Sequence, residues 1–191
     1  MMKFARKFTD LAIEGKKARR YDEFSRKSRL GDFKEYASLA ARYLAEGGSV
    51  LDVATGPGYF CTELAKLSTF KIVGVDISND LVAIARANAR ETGAAVDFQQ
   101  ANASAMRFPD GTFDLVFCSW AIKNFREPAA VLNEVYRVLK QGGTALIIDL
   151  NGDATGQDWQ SYASGRDLKG VNALSMRLAF RIQQGGAYTR D

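Results

Sequence analysis

The chain has 191 residues, 47% of them hydrophobic, with a formal net charge of +4, which fits one globular domain with a real core rather than a disordered segment. Its apolar runs are shorter than the roughly eighteen residues of a membrane span, and charges interrupt the first twenty residues, so the sequence predicts a cytoplasmic protein without a signal or membrane anchor. The absence of histidine excludes a Ser-His-Asp triad and His-ligated metals, and two cysteines without CxxC spacing, Cys61 and Cys118, predict buried thiols rather than a disulfide framework or a metal site.

Residues 3 to 46 read as helices. Residues 1 to 44 hold twelve Lys/Arg against six Asp/Glu, so the basic excess is N-terminal, either a solvated helix face or a surface for an anion. Five apolar runs rich in β-branched and aromatic residues follow: "GSVLDVA" (48–54), "FKIVGVD" (70–76), "AAVDFQQA" (94–101), "FDLVFCSW" (113–120) and "GGTALIIDL" (142–150). They predict strands. Between them the apolar period becomes helical, with Tyr59, Phe60, Leu64 and Leu67, then Leu81, Ile84, Ala85 and Asn88, then Val131, Leu132, Val135, Val138 and Leu139. Ser78 reads as a helix N-cap, Pro128 as a first-turn residue, and Gly142-Gly143 as the C-cap of the helix before the last strand. A further helical pattern, Leu174, Leu178, Ala179 and Ile182, lies within 158–184. The alternation predicts a Rossmann-like, doubly wound α/β fold with a parallel sheet, in which residues 1–46 form a helical cap or lid and 47–191 the core of one domain.

Ligands of such a fold bind beyond the carboxyl ends of the strands. Gly56 and Gly58 follow the first strand and open a helix, where missing Cβ atoms let a ligand approach the main chain; a tight strand-to-helix turn explains them equally well. Asp76 ends the second strand twenty residues after Gly56, where its carboxylate can accept from ribose hydroxyls. A dinucleotide site expects Gly or Ala where Cys61 stands. Asp52, four residues before Gly56, repels a phosphate and suits an ammonium group. An NAD-dependent oxidoreductase and a cofactor-binding module without turnover both remain open at this point.

These residues resemble the class I S-adenosylmethionine-dependent methyltransferases, whose D/E-x-G-x-G-x-G loop stands here as "DVATGPG", with Ala54 in place of the first glycine. "VGVDIS", "ANASAMRFPDGTFDLVFCSW" and "FREPAAVLNEVYRVLKQGG" extend the likeness over about residues 18 to 150, and "ARRYDEF", "AIKNF" and "YRVLKQGGTALIIDL" look most like the ubiquinone/menaquinone-biosynthesis C-methyltransferases. The resemblance implies S-adenosylmethionine as cofactor, S-adenosylhomocysteine as product, and methyl transfer to a small organic molecule such as a phenolic quinone precursor. It places Asp52, Ala54, Thr55, Gly56, Pro57 and Gly58 around methionine and ribose, Asp76 on the ribose hydroxyls, Ile77 on adenine, Asn102 on the adenine amine and Ala103 on a ring nitrogen. Cys118 and Ser119 would line the methionine side, and Tyr21 would close over the cofactor.

Lys123 and Asn124 stand where many relatives carry two histidines, which disfavours enzymes that depend on those groups. Displacement from a sulfonium needs alignment more than acid-base help, so Lys123, Asp149, Tyr21 and Tyr162 are catalytic candidates by placement only, and Trp120 is a candidate wall for a flat substrate. No added domain suggests a nucleic-acid partner. The family's sixth and seventh strands have no counterpart in the sequence: either the chain is shortened relative to a longer parent, or the fifth strand is an edge that another chain covers, which predicts a homodimer through that edge or through exchange of C-terminal segments.

Overall fold

A computed structural model describes residues 12–149. The expectations for Tyr162, the 158–184 helix and the C-terminal segment lie outside the described residues. Two helices, α1 (Lys16–Ser28) and α2 (Leu30–Ala41), precede a five-stranded sheet made of β1 (Ser49–Val53), β2 (Lys71–Asp76), β3 (Val96–Gln100), β4 (Phe113–Ser119) and β5 (Leu139–Ile148). The connections carry α3 (Tyr59–Ala65), α4 (Asn79–Thr92) and α5 (Pro128–Val138). All strand pairs are parallel, in the order β3-β2-β1-β4-β5. That is the expected doubly wound sheet, with β1 at its centre and its direction of travel reversing between β1 and β4.

Burial follows from the run composition. Central strands covered on both faces have nearly every residue apolar, and Val50, Leu51, Val53, Leu115, Val116 and Phe117 are all buried. On one face Phe33, Ala37 and Ala40 of α2 join Phe60, Leu64, Val82 and Ala85 over Val50 and Phe117. The N-terminal helices thus share the core of the sheet. Phe60 stacks on Phe117 at 3.7 Å between ring centroids. The other face packs Val131, Val135 and Val138 of α5 on Leu51, Val53 and Val116. Both cysteines are buried and free. No helix among the described residues is long and apolar enough to cross a membrane.

Local signals hold at several boundaries. Ser78 caps α4 through its hydroxyl, which accepts from the Leu81 N–H at 3.0 Å, and Pro128 opens α5. Two readings need correction. Leu67 is half exposed, because α3 ends at Ala65 before its periodic position returns to the core. The Gly142-Gly143 pair does not cap α5: that helix ends at Val138 and β5 begins at once with Leu139 beside Phe113. Pairing then slips, and Leu115 faces Thr144. The extra residues form an irregularity in which Gly142 takes φ 78° and the Lys140 ammonium reaches the Asp114 carboxylate at 2.9 Å. A bulge, rather than a helix end, is what these glycines permit.

Candidate functional site

At the carboxyl ends of the strands lies a cavity bordered by Gly56 after β1, Asp76 and Ile77 after β2, Ala103 after β3, and Ser119 and Trp120 after β4. Of the other expected residues, Tyr21, Ala54 and Asn102 also line it, whereas Asp52, Thr55, Pro57, Gly58, Cys118, Lys123 and Asp149 do not. Ile13, Asn124 and Phe125, which sequence reasoning did not single out as site residues, are also part of the wall, together with Val75, Leu81, Ala101 and Ala121.

The glycine loop has two different reasons for its two glycines. Gly56 sits at φ 55°, and a Cβ there would stand 3.4 Å from the Tyr21 ring, so Tyr21 covers the loop at the cavity. Gly58, at φ 79°, would place a Cβ 2.6 Å from Phe98 and 2.9 Å from Ala85. A phenyl ring of the core occupies the space on the Cβ side of Gly58, so packing by itself requires a glycine there. Ala54 takes φ 59°, a left-handed conformation in which an alanine costs about 1 kcal/mol relative to glycine. The glycine-to-alanine exchange therefore carries backbone strain.

Asp52 lies near the end of β1, as expected, and does not line the cavity. It is buried, accepts from the Thr55 hydroxyl at 2.6 Å and from the Cys61 thiol at 3.2 Å, and so ties the loop from behind. Burial pushes its carboxyl up to about 7, against the lowering effect of those two hydrogen bonds. Asp76, by contrast, borders the cavity and accepts from the Gly56 N–H and the Ser78 N–H, each at 2.9 Å. Burial raises its pKa, and backbone N–H groups of Ser78, Gly56 and Ile77 oppose the shift. Two carboxylate oxygens offer about four acceptor positions, so capacity for a further hydroxyl remains.

Asn102 is exposed, and its Oδ1 already accepts from the N–H and the hydroxyl of Ser104 at 3.0 and 2.9 Å. Acceptance from a purine amine would compete with that turn, since the short side chain satisfies its own backbone first. Ala103 stays at the cavity, held by a clamp from α5 in which the Arg137 guanidinium donates to the carbonyls of Met106 and Phe108 while Glu134 accepts from the Met106 N–H.

Lys123 was expected near a strand end and is buried there. Its ammonium donates to Asp149 at 3.1 Å and to the Trp120 carbonyl at 2.7 Å, and burial lowers its pKa against the raising effect of Asp149. This pair braces the β4–α5 connection through the Trp120 carbonyl, and neither residue lines the cavity. Trp120 itself adopts φ 59°, an outlier conformation for a bulky residue.

Two further networks join the N-terminal segment to the helices of the sheet. The Tyr59 hydroxyl donates to Asp22 at 2.6 Å and accepts from Arg26, which also donates to Asn88 at 2.9 Å; Asn88 donates in turn to the Pro57 carbonyl. An asparagine at an apolar period position of α4 was the sequence signal for this junction. Beside it, Glu14 accepts from the N–H groups of Asn79 and Asp80 at 3.0 Å, where a carboxylate complements the N-terminus of α4, and Ser78 donates to the Ile13 carbonyl at 2.7 Å.

The Methyltransferase domain family matches residues 51–147, half of the chain, from β1 into β5. The chain belongs to this family. Solved structures are similar to it in fold. A SAM-dependent methyltransferase from Aquifex aeolicus is 27% identical with a TM-score of 0.64, over 73% of this chain and 76% of that one. The [4+2]-cyclase SpnF is 30% identical with a TM-score of 0.62, over 69% of this chain and 50% of that one. Among curated relatives, a ubiquinone/menaquinone biosynthesis C-methyltransferase of Geotalea uraniireducens is 35% identical over 70% of this chain and 60% of its own length. The chain thus spans three-fifths of that relative, and 55% of a second of the same name from Geobacter sulfurreducens.

Proposed function

We propose that the protein is an S-adenosylmethionine-dependent methyltransferase acting on a small organic molecule, and that its acceptor is aromatic or phenolic, as the quinone-precursor names of its relatives suggest. The observation that carries the reading is the buried Asp76 carboxylate at the end of β2, open to a cavity it shares with Gly56 and Ala103. The residues present fit the cofactor: Asp76 accepts from the ribose hydroxyls, Ile77 packs on adenine, Ala103 offers its main chain, and Tyr21 covers the side at Gly56. Bound there, the cofactor supplies an electrophilic methyl group with a neutral leaving group.

The chain's own part is alignment and exclusion of water. Trp120, Phe125 and Ile13 provide apolar walls, Tyr21 is the one catalytic candidate at the cavity, and the Lys123–Asp149 pair positions Trp120 through its carbonyl. The alternative is a cofactor-binding module without turnover. The β5 edge makes pairing of two copies part of the same reading; a monomer mass in light scattering at micromolar concentration rejects that part.

Isothermal titration calorimetry with S-adenosylhomocysteine tests the cofactor without knowledge of the acceptor. One micromolar site per chain is expected, and Asp76→Ala should weaken it by about 1–3 kcal/mol through loss of charge-assisted hydrogen bonds. No heat from folded protein rejects the reading. Binding without label transfer from S-adenosylmethionine to any of a panel of phenols and naphthols favours the alternative.

A further inference from the structure

Behind the Trp120 wall of the cavity stands a set of donors that the fold leaves without acceptors. Arg29, at the junction of α1 and α2, is 5% exposed. Its guanidinium lies 4.4 Å from the Trp120 ring centroid and 5.0 Å from that of Phe33. The Nε and Nη2 atoms are buried without a hydrogen-bond partner, and so are the Ser25 hydroxyl, one turn earlier on α1, and the Trp120 indole Nε1. Ring faces attract a guanidinium through its flat side, but offer nothing to the N–H groups along its edge.

The ion pairs agree with the open donors. Lys123 holds Asp149 at 3.1 Å, and although Asp32 is buried three residues after Arg29 on α2, no ion pair to Arg29 forms among the described residues, where the guanidinium is more than nine-tenths buried. A buried, unpaired cation is strongly unfavourable unless an anion joins it. The atoms left open narrow the class of anion, because Nε and Nη2 together form the edge of a guanidinium that meets the two oxygens of a carboxylate in parallel.

We propose that Arg29, supported by Ser25 and the Trp120 indole N–H, is a subsite for the carboxylate of a planar organic acid. The Trp120 ring, which lines the cavity and covers Arg29, is the partition between the two, and the subsite opens toward the cavity as that ring turns. That the bound acid is the methyl acceptor rests on the methyl-transfer reading; the subsite itself does not.

The test is calorimetric titration of the full chain with 2-naphthoate and with its neutral isostere 2-naphthamide, each in the presence and absence of saturating S-adenosylhomocysteine. The wild type should prefer the acid by about tenfold or more, as expected for a bidentate charge-assisted contact. Arg29→Gln should bring the two within about twofold while leaving S-adenosylhomocysteine affinity unchanged, and Trp120→Phe, which keeps a ring and loses the N–H, should lower the preference by about threefold. Equal affinity of acid and amide for the wild type overturns the proposal without recourse to any variant, as does an undiminished preference in folded Arg29→Gln. Acid preference in a protein that does not bind S-adenosylhomocysteine keeps the subsite and removes the methyl-transfer reading; the reverse result removes the subsite alone.

Discussion

The two ends of the cavity are built on opposite rules. At the β1–β2 end each buried carboxylate has its donors: Asp52 has Thr55 and Cys61, and Asp76 has the N–H groups of Gly56 and Ser78. At the β4 end, four buried polar atoms of Ser25, Arg29 and Trp120 have none. A satisfied network fixes geometry and stabilises the fold by itself, whereas an unsatisfied one costs stability until a ligand arrives. The first end is a scaffold for a constant ligand and the second a site whose acceptors come from outside.

The largest test of this contrast is pH. The Asp52 carboxyl sits at about 7 in the fold against an ordinary value of 3.8. Between those values the native state binds more protons than the unfolded chain, so its contribution is full below about pH 4, declines as pH rises, and is gone above about pH 7, a loss of up to about 4 kcal/mol. Urea midpoints across this range should fall for the wild type and fall less for Asp52→Asn, in which the raised Asp76 carboxyl still contributes. Next, Gly58→Ala should cost about 3 kcal/mol, from left-handed strain and overlap with Phe98. Were Gly58 kept for a ligand instead, the same substitution would leave urea midpoints unchanged and abolish cofactor binding.

At the other end the sign should reverse. Arg29→Met removes an unpaired buried charge and keeps the volume, and should raise stability by about 2 kcal/mol while destroying preference for an acid; a fall in thermal midpoint would mean that the donors are satisfied in the free protein. The smallest effect is Ala54→Gly, which relieves the φ 59° conformation and should stabilise by about 1 kcal/mol in the same melts.

Sequence periodicity reads much of this. The strands lie where apolar runs of β-branched residues lie, with ends within a few positions, because a central strand cannot hide polar residues. Asp76 is legible from its spacing to Gly56. Gly58 is not, since the ring that excludes its Cβ belongs to Phe98 on β3, and nothing local tells packing from ligand approach. The β5 boundary slips for a similar reason: the Lys140–Asp114 contact that starts the strand early joins residues from two strands. Arg29 looks like one more cation in a basic helix, and its lack of a partner is a property of where α1 meets the end of β4. Sequence patterns report what each residue prefers, and a site made of unmet preferences has no local signature.

The central place of β1 also has a kinetic meaning. Its pairing with β2 joins Ser49 to Lys71, while its pairing with β4 joins Val50 to Leu115, a far longer loop to close before any contact rewards it. A refolding chain, or one emerging from a ribosome, can raise the Asp76 side of the cavity while the segment carrying Trp120 is still unplaced. Stopped-flow refolding of a Trp159→Phe variant, followed by the fluorescence of Trp120, would then report the second wall rather than the first, and the order in which the pocket is assembled would be written in the order of its strands.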